Sequence, residues 1–285
     1  MFMNNGKKAH LKFGTAEGIK ELSTGLRTQL DLLYQARFII GEQSDEVWRI
    51  IYPLIWSVED SSQSIFILAQ AGKMRDCMIL ARGVLETIIN ISFICAKGKQ
   101  IAKRAYRHYM QKSVRGIIQD IDFKERYLGE VYSIKFDLNK SPTIKAAVDE
   151  YTGRKGREIT AWLPESLQAK VDAITKKYGK KLSKPLEVVI DSIYRDSSEL
   201  IHGTFYGAMF SFGWAKVPKE LLSPPVNLKE HYQEHISMVL FLLSGVISAL
   251  IKILGRELPL KQISDKSREL YIKSGHKFFP DLAKE

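Results

Sequence analysis

Hydrophobic positions in this chain recur at three- and four-residue spacing almost throughout, the signature of amphipathic helices. Ile19, Leu22, Leu26, Leu30, Leu33 and Phe38 predict a helix from Thr15 to about Gly41. Ser44-Asp45 offers an N-cap for a second helix, marked by Val47, Ile50, Ile51, Leu54, Ile55 and Val58. It continues through Ile65, Leu68 and Ala69 to a natural stop at Gly72. Pro53 lies too far inside that segment to be a first-turn proline and predicts a kink. Met74–Ala96 is apolar nearly all round, as a buried central helix is, and Gly98 ends it. Lys99–Gly129 is basic and amphipathic, with Tyr106, Tyr109 and Phe123 set among its cations. Residues 130–183 are punctuated by Asn139–Pro142, Thr152–Gly156 and Leu163-Pro164, with short helical pieces between them.

Leu186–Gly203, LEVVIDSIYRDSSELIHG, then reads as one helix, with Ser183 as its cap and Pro185 in its first turn. An aromatic, glycine-rich connection leads to a strongly apolar helix, Val226–Leu254, ended by Gly255, and a last helix covers Leu260–Ser274. There is no strand-like alternation of useful length, no internal repeat and no low-complexity segment. The pattern therefore predicts an all-α helical bundle whose core is the second, third, Leu186–Gly203 and Val226–Leu254 helices. Residues 1–14 read as a loose basic tail, 15–275 as a single helical domain with a basic elaboration at about 99–183, and 276–285 as a polar tail.

Composition agrees with a folded chain: 45% of its 285 residues are hydrophobic and 26% charged. The two cysteines, Cys77 and Cys95, fall eighteen residues and about 27 Å apart on one predicted helix, so they cannot pair within it. With no Cys-x-x-Cys, this fits a reducing cytoplasm. The N-terminus has no apolar core of a secretory signal. The longest uncharged run, His235–Ile251, is short for a membrane span and carries Ser237, Ser244, Gly245 and Ser248, so a buried helix is expected and no membrane partner. The net charge of +11 favours a polyanion. Lys103, Arg104, Arg107, Lys176, Lys177, Lys180 and Lys181 are the candidate nucleic-acid contacts.

The familiar catalytic motifs are missing: Gly-x-Ser-x-Gly, the P-loop, the dinucleotide glycine fingerprint and His-Glu-x-x-His. His231 and His235, beside Glu230 and Glu234, have metal-compatible spacing, but a solvated helix start accounts for them; no metal or cofactor is assigned. Two polar stripes stand out on apolar helices. Arg82, Glu86 and Asn90 share one face at i, i+4, i+8. Arg195, Glu199 and His202 share another, because seven residues turn a helix through about 700°, which places Arg195 and His202 about 10.5 Å apart on one side. In one reading the two stripes face each other as a satisfied internal network, with Arg195 and Glu199 paired along the helix. His202 would then be a cation at the helix C-terminus, followed by Gly203 as terminator.

A second reading comes from resemblance. Arg195, the polar Asp196 after it, a six-residue spacer and His202 resemble the Arg-x(4–6)-His motif of HEPN-type ribonucleases. LARGVLETIINISFI with YRDSSELIHG also resembles an uncharacterised bacterial family of helical proteins, on Arg82, Glu86, Ser198, His202 and Gly203. The resemblance implies a HEPN-like core with extra helices and metal-free RNA cleavage. The ribose 2′-hydroxyl would attack phosphorus, His202 would serve as general base or acid, and Arg195 would stabilise the transition-state charge. It further implies a homodimer and the role of a toxin or phage-defence effector, with RNA as substrate and an antitoxin or another protein as partner. Glu199 would repel phosphate unless it pairs with Arg195 or Arg82, or orients His202. The alternative is a non-enzymatic helical module that binds nucleic acid or a protein through its basic face.

Overall fold

The computed structural model describes residues 12–128, 138–211, 213 and 227–279. These form α1 (Ala16–Gly41), α2 (Glu46–Gln70), α3 (Met74–Lys97), α4 (Lys99–Leu128), α5 (Pro142–Glu150), α6 (Leu167–Tyr178), α7 (Lys180–Val189), α8 (Arg195–Ile201), α9 (Phe205–Ser211), α10 (Leu228–Glu257) and α11 (Lys261–Phe278). A 3-10 turn, Leu138–Lys140, precedes α5, and a π-turn, Ile190–Tyr194, joins α7 to α8. Among the described residues there is no β-strand, so the fold is the expected all-α bundle.

The helix starts follow local chemistry. Thr15 accepts the Gly18 N–H at 3.1 Å, Asp45 accepts the Val47 N–H at 2.8 Å, and Asn227 caps α10 through Lys229 and Glu230. Two boundaries differ from expectation because a glycine in the left-handed region sets one of them. Gly179, at φ 87°, breaks α6 from α7, so α7 begins at Lys180. Ser183 is therefore buried inside the helix and caps nothing, and Pro185 sits in the helix interior. Gly255 does not end α10, which continues to Glu257, and α2 runs from Glu46 to Gln70 across Pro53.

α10 lies at the centre, against α1, α3, α7 and α11, and α2 closes the bundle against α1 and α3. Leu33, Ile55, Ile88, Leu240 and Leu250 are wholly buried where these helices meet. Two further helices contribute to this core beyond those expected: α1, whose Leu22, Leu26 and Ile40 are buried, and α6, whose Val171 and Ile174 are buried beside α3 and α7. α3 and α10 are long and apolar enough to cross a membrane by length and composition, and both are the packed interior of this bundle. Burial pushes the Cys77 and Cys95 thiols up to about 12, so neither supplies a thiolate near neutrality.

The α1–α2 seam contains a buried carboxylate. Glu59 meets Arg37 at 2.8 Å, and Arg37 also donates to the Tyr52 hydroxyl. Desolvation raises the Glu59 pKa above its ordinary 4.5, only partly opposed by Arg37, and its second oxygen has no partner. A carboxyl with a raised folded pKa contributes stability below its unfolded pKa and loses it as pH rises through the folded value. Relative to Glu59→Gln, the wild-type protein is therefore expected to lose unfolding free energy as pH rises above about 4.5. Urea titrations of both proteins from pH 4 to pH 7 check this; a constant difference contradicts it.

Candidate functional site

The apolar register Leu186, Val189, Ile193 and Leu200 carries through the π-turn and decides what α8 presents. Ile193, Ser197 and Leu200 become the inward stripe, all at most 1% exposed. Arg195 and His202 lie on the opposite side and face solvent; the Arg195 side chain is 79% exposed. The two expected stripes consequently do not face each other. The residue that meets Arg82 is Tyr194, one position before Arg195.

The Arg82 guanidinium is sandwiched. Its Nε donates to Glu86 at 2.9 Å, its second terminal nitrogen donates to the Tyr194 hydroxyl at 3.1 Å, and its centre stands 4.4 Å from the Tyr194 ring centroid. The side chain is 17% exposed and one terminal nitrogen is buried without a partner. Burial opposes its charge, but Glu86 and Tyr194 outweigh that and hold its pKa above the usual value, so it stays a cation. Farther along α3, Asn90 turns to α6, where its side-chain oxygen accepts from Lys170 at 2.9 Å. Lys170 is buried, and its ammonium lies 5.2 Å from the Trp162 ring centroid. Desolvation lowers its pKa, opposed by Glu165 and Glu86. Neither Glu86 nor Asn90 meets Glu199 or His202.

The expected Arg195–Glu199 pair is also not made. Glu199 instead accepts the Thr204 hydroxyl at 2.7 Å, while Arg195 stands 3.7 Å from Asp196. Thr204 caps α9 by accepting the Gly207 N–H at 3.1 Å, so the Glu199 carboxylate is drawn toward the turn after Gly203 and away from Arg195. Gly203 adopts φ 62° and ends α8 as a terminator should. Gly207 allows α9 to close on that end, since a Cβ there would stand 2.6 Å from the Glu199 carbonyl oxygen. Asp196 is buried, with the Tyr206 hydroxyl at 3.4 Å, and the Ser197 hydroxyl donates to the Ile193 carbonyl at 2.6 Å. Ser198 accepts the His202 N–H through its carbonyl at 3.1 Å. From α3, Arg75 donates to the Leu200 carbonyl at 3.1 Å, holding the α8 terminus in place. His202 thus sits on a fixed helix end with an exposed imidazole.

The cations expected to touch nucleic acid divide into two groups. Lys103, Lys176, Lys180 and Lys181 are exposed. Arg104 and Arg107 both lie against Glu150, and Lys177 bonds Glu257 and the Cys95 carbonyl, so these three have protein partners. Of the α10 histidines, His231 lies 3.0 Å from the Phe210 carbonyl and His235 lies 2.8 Å from that of His231. Sequence reasoning missed Tyr194, Arg75, Thr204 and Lys170. Tyr194 carried a signal: the apolar register Leu186, Val189, Ile193, Leu200 already assigns the inward side of the helix, and Tyr194 flanks it.

Residues 50–216 match a family of unknown function, DUF5677, over more than half of the chain, and the chain belongs to that family. The matched span holds α3, with Arg82 and Glu86, and α8, with Ser198, His202 and Gly203; it stops short of α10. No curated protein and no solved structure matches the chain.

The Arg82–Tyr194 contact should couple α3 to α8 energetically. Tyr194→Phe removes the hydroxyl but keeps the ring and is expected to cost about 1.5–3 kcal/mol, the usual range for a hydrogen bond to a charged group. A double-mutant cycle with Arg82→Met, read by chemical denaturation, should give a coupling of about 1 kcal/mol or more; additive effects would mean the two side chains act independently.

Proposed function

We propose that this member of the DUF5677 family is a metal-independent endoribonuclease with a HEPN-like site, in which Arg195 and His202 act on the scissile phosphodiester. The observation that supports it is the outward placement of both side chains on one face of a fixed helix end, while Arg82, Glu86 and Asn90 have partners elsewhere. A purely internal network would have used Arg195 and His202 in those contacts.

The chemistry follows from the residue types. The ribose 2′-hydroxyl attacks the adjacent phosphorus, its proton passes to a base, the 5′-oxygen leaves with a proton from an acid, and a 2′,3′-cyclic phosphate remains. Imidazole suits either proton step near neutral pH. The planar guanidinium of Arg195 offers paired donors to the equatorial oxygens as charge builds on them. With Glu199 bonded to Thr204, the repulsion a carboxylate would exert on phosphate is drawn off the Arg195–His202 face. A homodimer pairing two α8 ends would supply base and acid from two copies of His202, and a protein antitoxin would act by covering this face. The second reading is a module that binds nucleic acid without cleaving it, favoured by the exposed Lys176, Lys180 and Lys181 around the α6–α7 junction.

The wild-type protein is expected to cleave single-stranded RNA in EDTA and leave 2′,3′-cyclic phosphate ends. His202→Ala should lower the rate by about 10²–10⁴-fold, the usual share of general acid–base catalysis. Because His202 is exposed, its unfolding free energy should stay within about 0.5 kcal/mol of wild type. Arg195→Ala should also suppress cleavage, with Arg195→Lys recovering only part of it. Protein that leaves RNA intact, or a His202→Ala variant of undiminished activity, overturns the reading.

A further inference from the structure

A cleft of about 550 Å³ opens between α2, α3 and α4, away from the α8 terminus. Its walls are unusually aromatic for a surface depression: Tyr106 and Tyr109 from α4 and Trp162 from the segment before α6, with Pro53 of α2 and Asn90 of α3 also lining it. Tyr106 and Tyr109 are 46% and 63% exposed, with ring centroids 6.1 Å apart and planes inclined by 32°. Aromatic rings left in water beside a cavity provide a stacking surface. The Trp162 wall is held in place. The Tyr151 hydroxyl lies 3.1 Å from the Trp162 carbonyl, and His108 lies 3.1 Å from that of Thr160.

The cleft also carries a hydrogen-bond donor. The Asn90 oxygen is taken by Lys170, which orients the amide and leaves its nitrogen, a donor, without a partner among the described residues. Arg49 lines the rim, and Lys103 is exposed one turn before Tyr106; neither forms an ion pair with a described residue. Aromatic faces, the Asn90 donor within the cleft, and the Arg49 and Lys103 cations beside it match an unpaired nucleobase with its flanking phosphates.

We propose that this cleft takes one unpaired base of a single-stranded RNA whose scissile phosphate lies at Arg195 and His202. The proposal rests on the ribonuclease reading for the identity of the polymer. Both places are tied to α3: Arg75 bonds Leu200 at one end, and Asn90 stands fifteen residues farther on, a separation of about 22 Å along the helix. A strand bound at both would cross several nucleotides between them. It would pass Glu86, which is kept from repelling it by its bond to Arg82. The cleft would accordingly select unpaired over duplex substrate, because a paired base cannot leave its stack to enter.

The test uses His202→Ala protein in EDTA and fluorescence anisotropy of a short labelled single-stranded oligoribonucleotide. Adding Tyr106→Ala and Tyr109→Ala together should weaken binding about tenfold or more, as losing base stacking does. The paired Tyr→Phe changes should restore it, and affinity for inorganic polyphosphate should be unchanged throughout. Both tyrosines are largely exposed, so the fold should survive, which circular dichroism verifies. Unchanged RNA affinity, a parallel fall for polyphosphate, or equal binding of the duplex of the same sequence overturns the proposal. The two readings fail separately. Tyrosine-dependent binding by a protein that never cleaves RNA upholds the cleft and removes the nuclease. Cleavage with tyrosine-independent binding removes the cleft and leaves the nuclease.

Discussion

The contact between Arg82 and Tyr194 joins α3 to the segment that leads into α8. A guanidinium only partly open to water must be given both hydrogen bonds and a polarisable neighbour. Glu86 supplies the first from the same helix, and Tyr194 supplies a hydroxyl and a ring face from the facing segment. Tyr194 is the last residue of the π-turn at Ile190–Tyr194, and the apolar register Leu186, Val189, Ile193 and Leu200 runs through that turn. With Tyr194 seated, Ile193, Ser197 and Leu200 point inward, and Arg195 and His202 are exposed on the other side. Arg75 at the start of α3 then holds the far end of α8 by donating to the Leu200 carbonyl.

The surroundings of His202 follow from the same constraint. Because α8 ends on a left-handed Gly203, the chain reverses at once into Thr204, which both caps α9 and binds Glu199. A carboxylate that would otherwise neutralise Arg195 is turned aside by one hydroxyl. The cleft between α2, α3 and α4 and the α8 terminus are then two places along α3, connected by a polar line from Arg82 through Glu86 to Asn90 and Lys170. That line divides its partners between the π-turn and α6, in place of the single facing stripe that pairing by sequence suggested.

The helices were legible because each buries an apolar stripe against neighbours, and that stripe must recur every three or four residues. Thr15, Asp45 and Gly98 mark their helix ends by chemistry local to the sequence, so those boundaries were readable to within a residue or two. Ser183 and Pro185 misled because a cap signal is only a local preference; the left-handed Gly179 outweighed it and started the helix earlier. α6 was underestimated as core because the lysine run at its end, Lys176, Lys177, Lys180 and Lys181, reads as a solvated segment, while Val171 and Ile174 do the packing.

The sequence by itself determined the class of fold, the position of Arg195 and His202 on one side of a helix end, and the terminating role of Gly203. Each of these depends on spacing within one helix, which 100° per residue specifies without reference to anything else. The apolar register Leu186, Val189, Ile193 and Leu200 also set that side opposite the buried one. Only the tertiary structure decided the partners, because a contact between helices depends on how they pack and not on spacing within one of them. Tyr194 filled the place beside Arg82, Lys170 took Asn90, and Thr204 drew Glu199 away from Arg195.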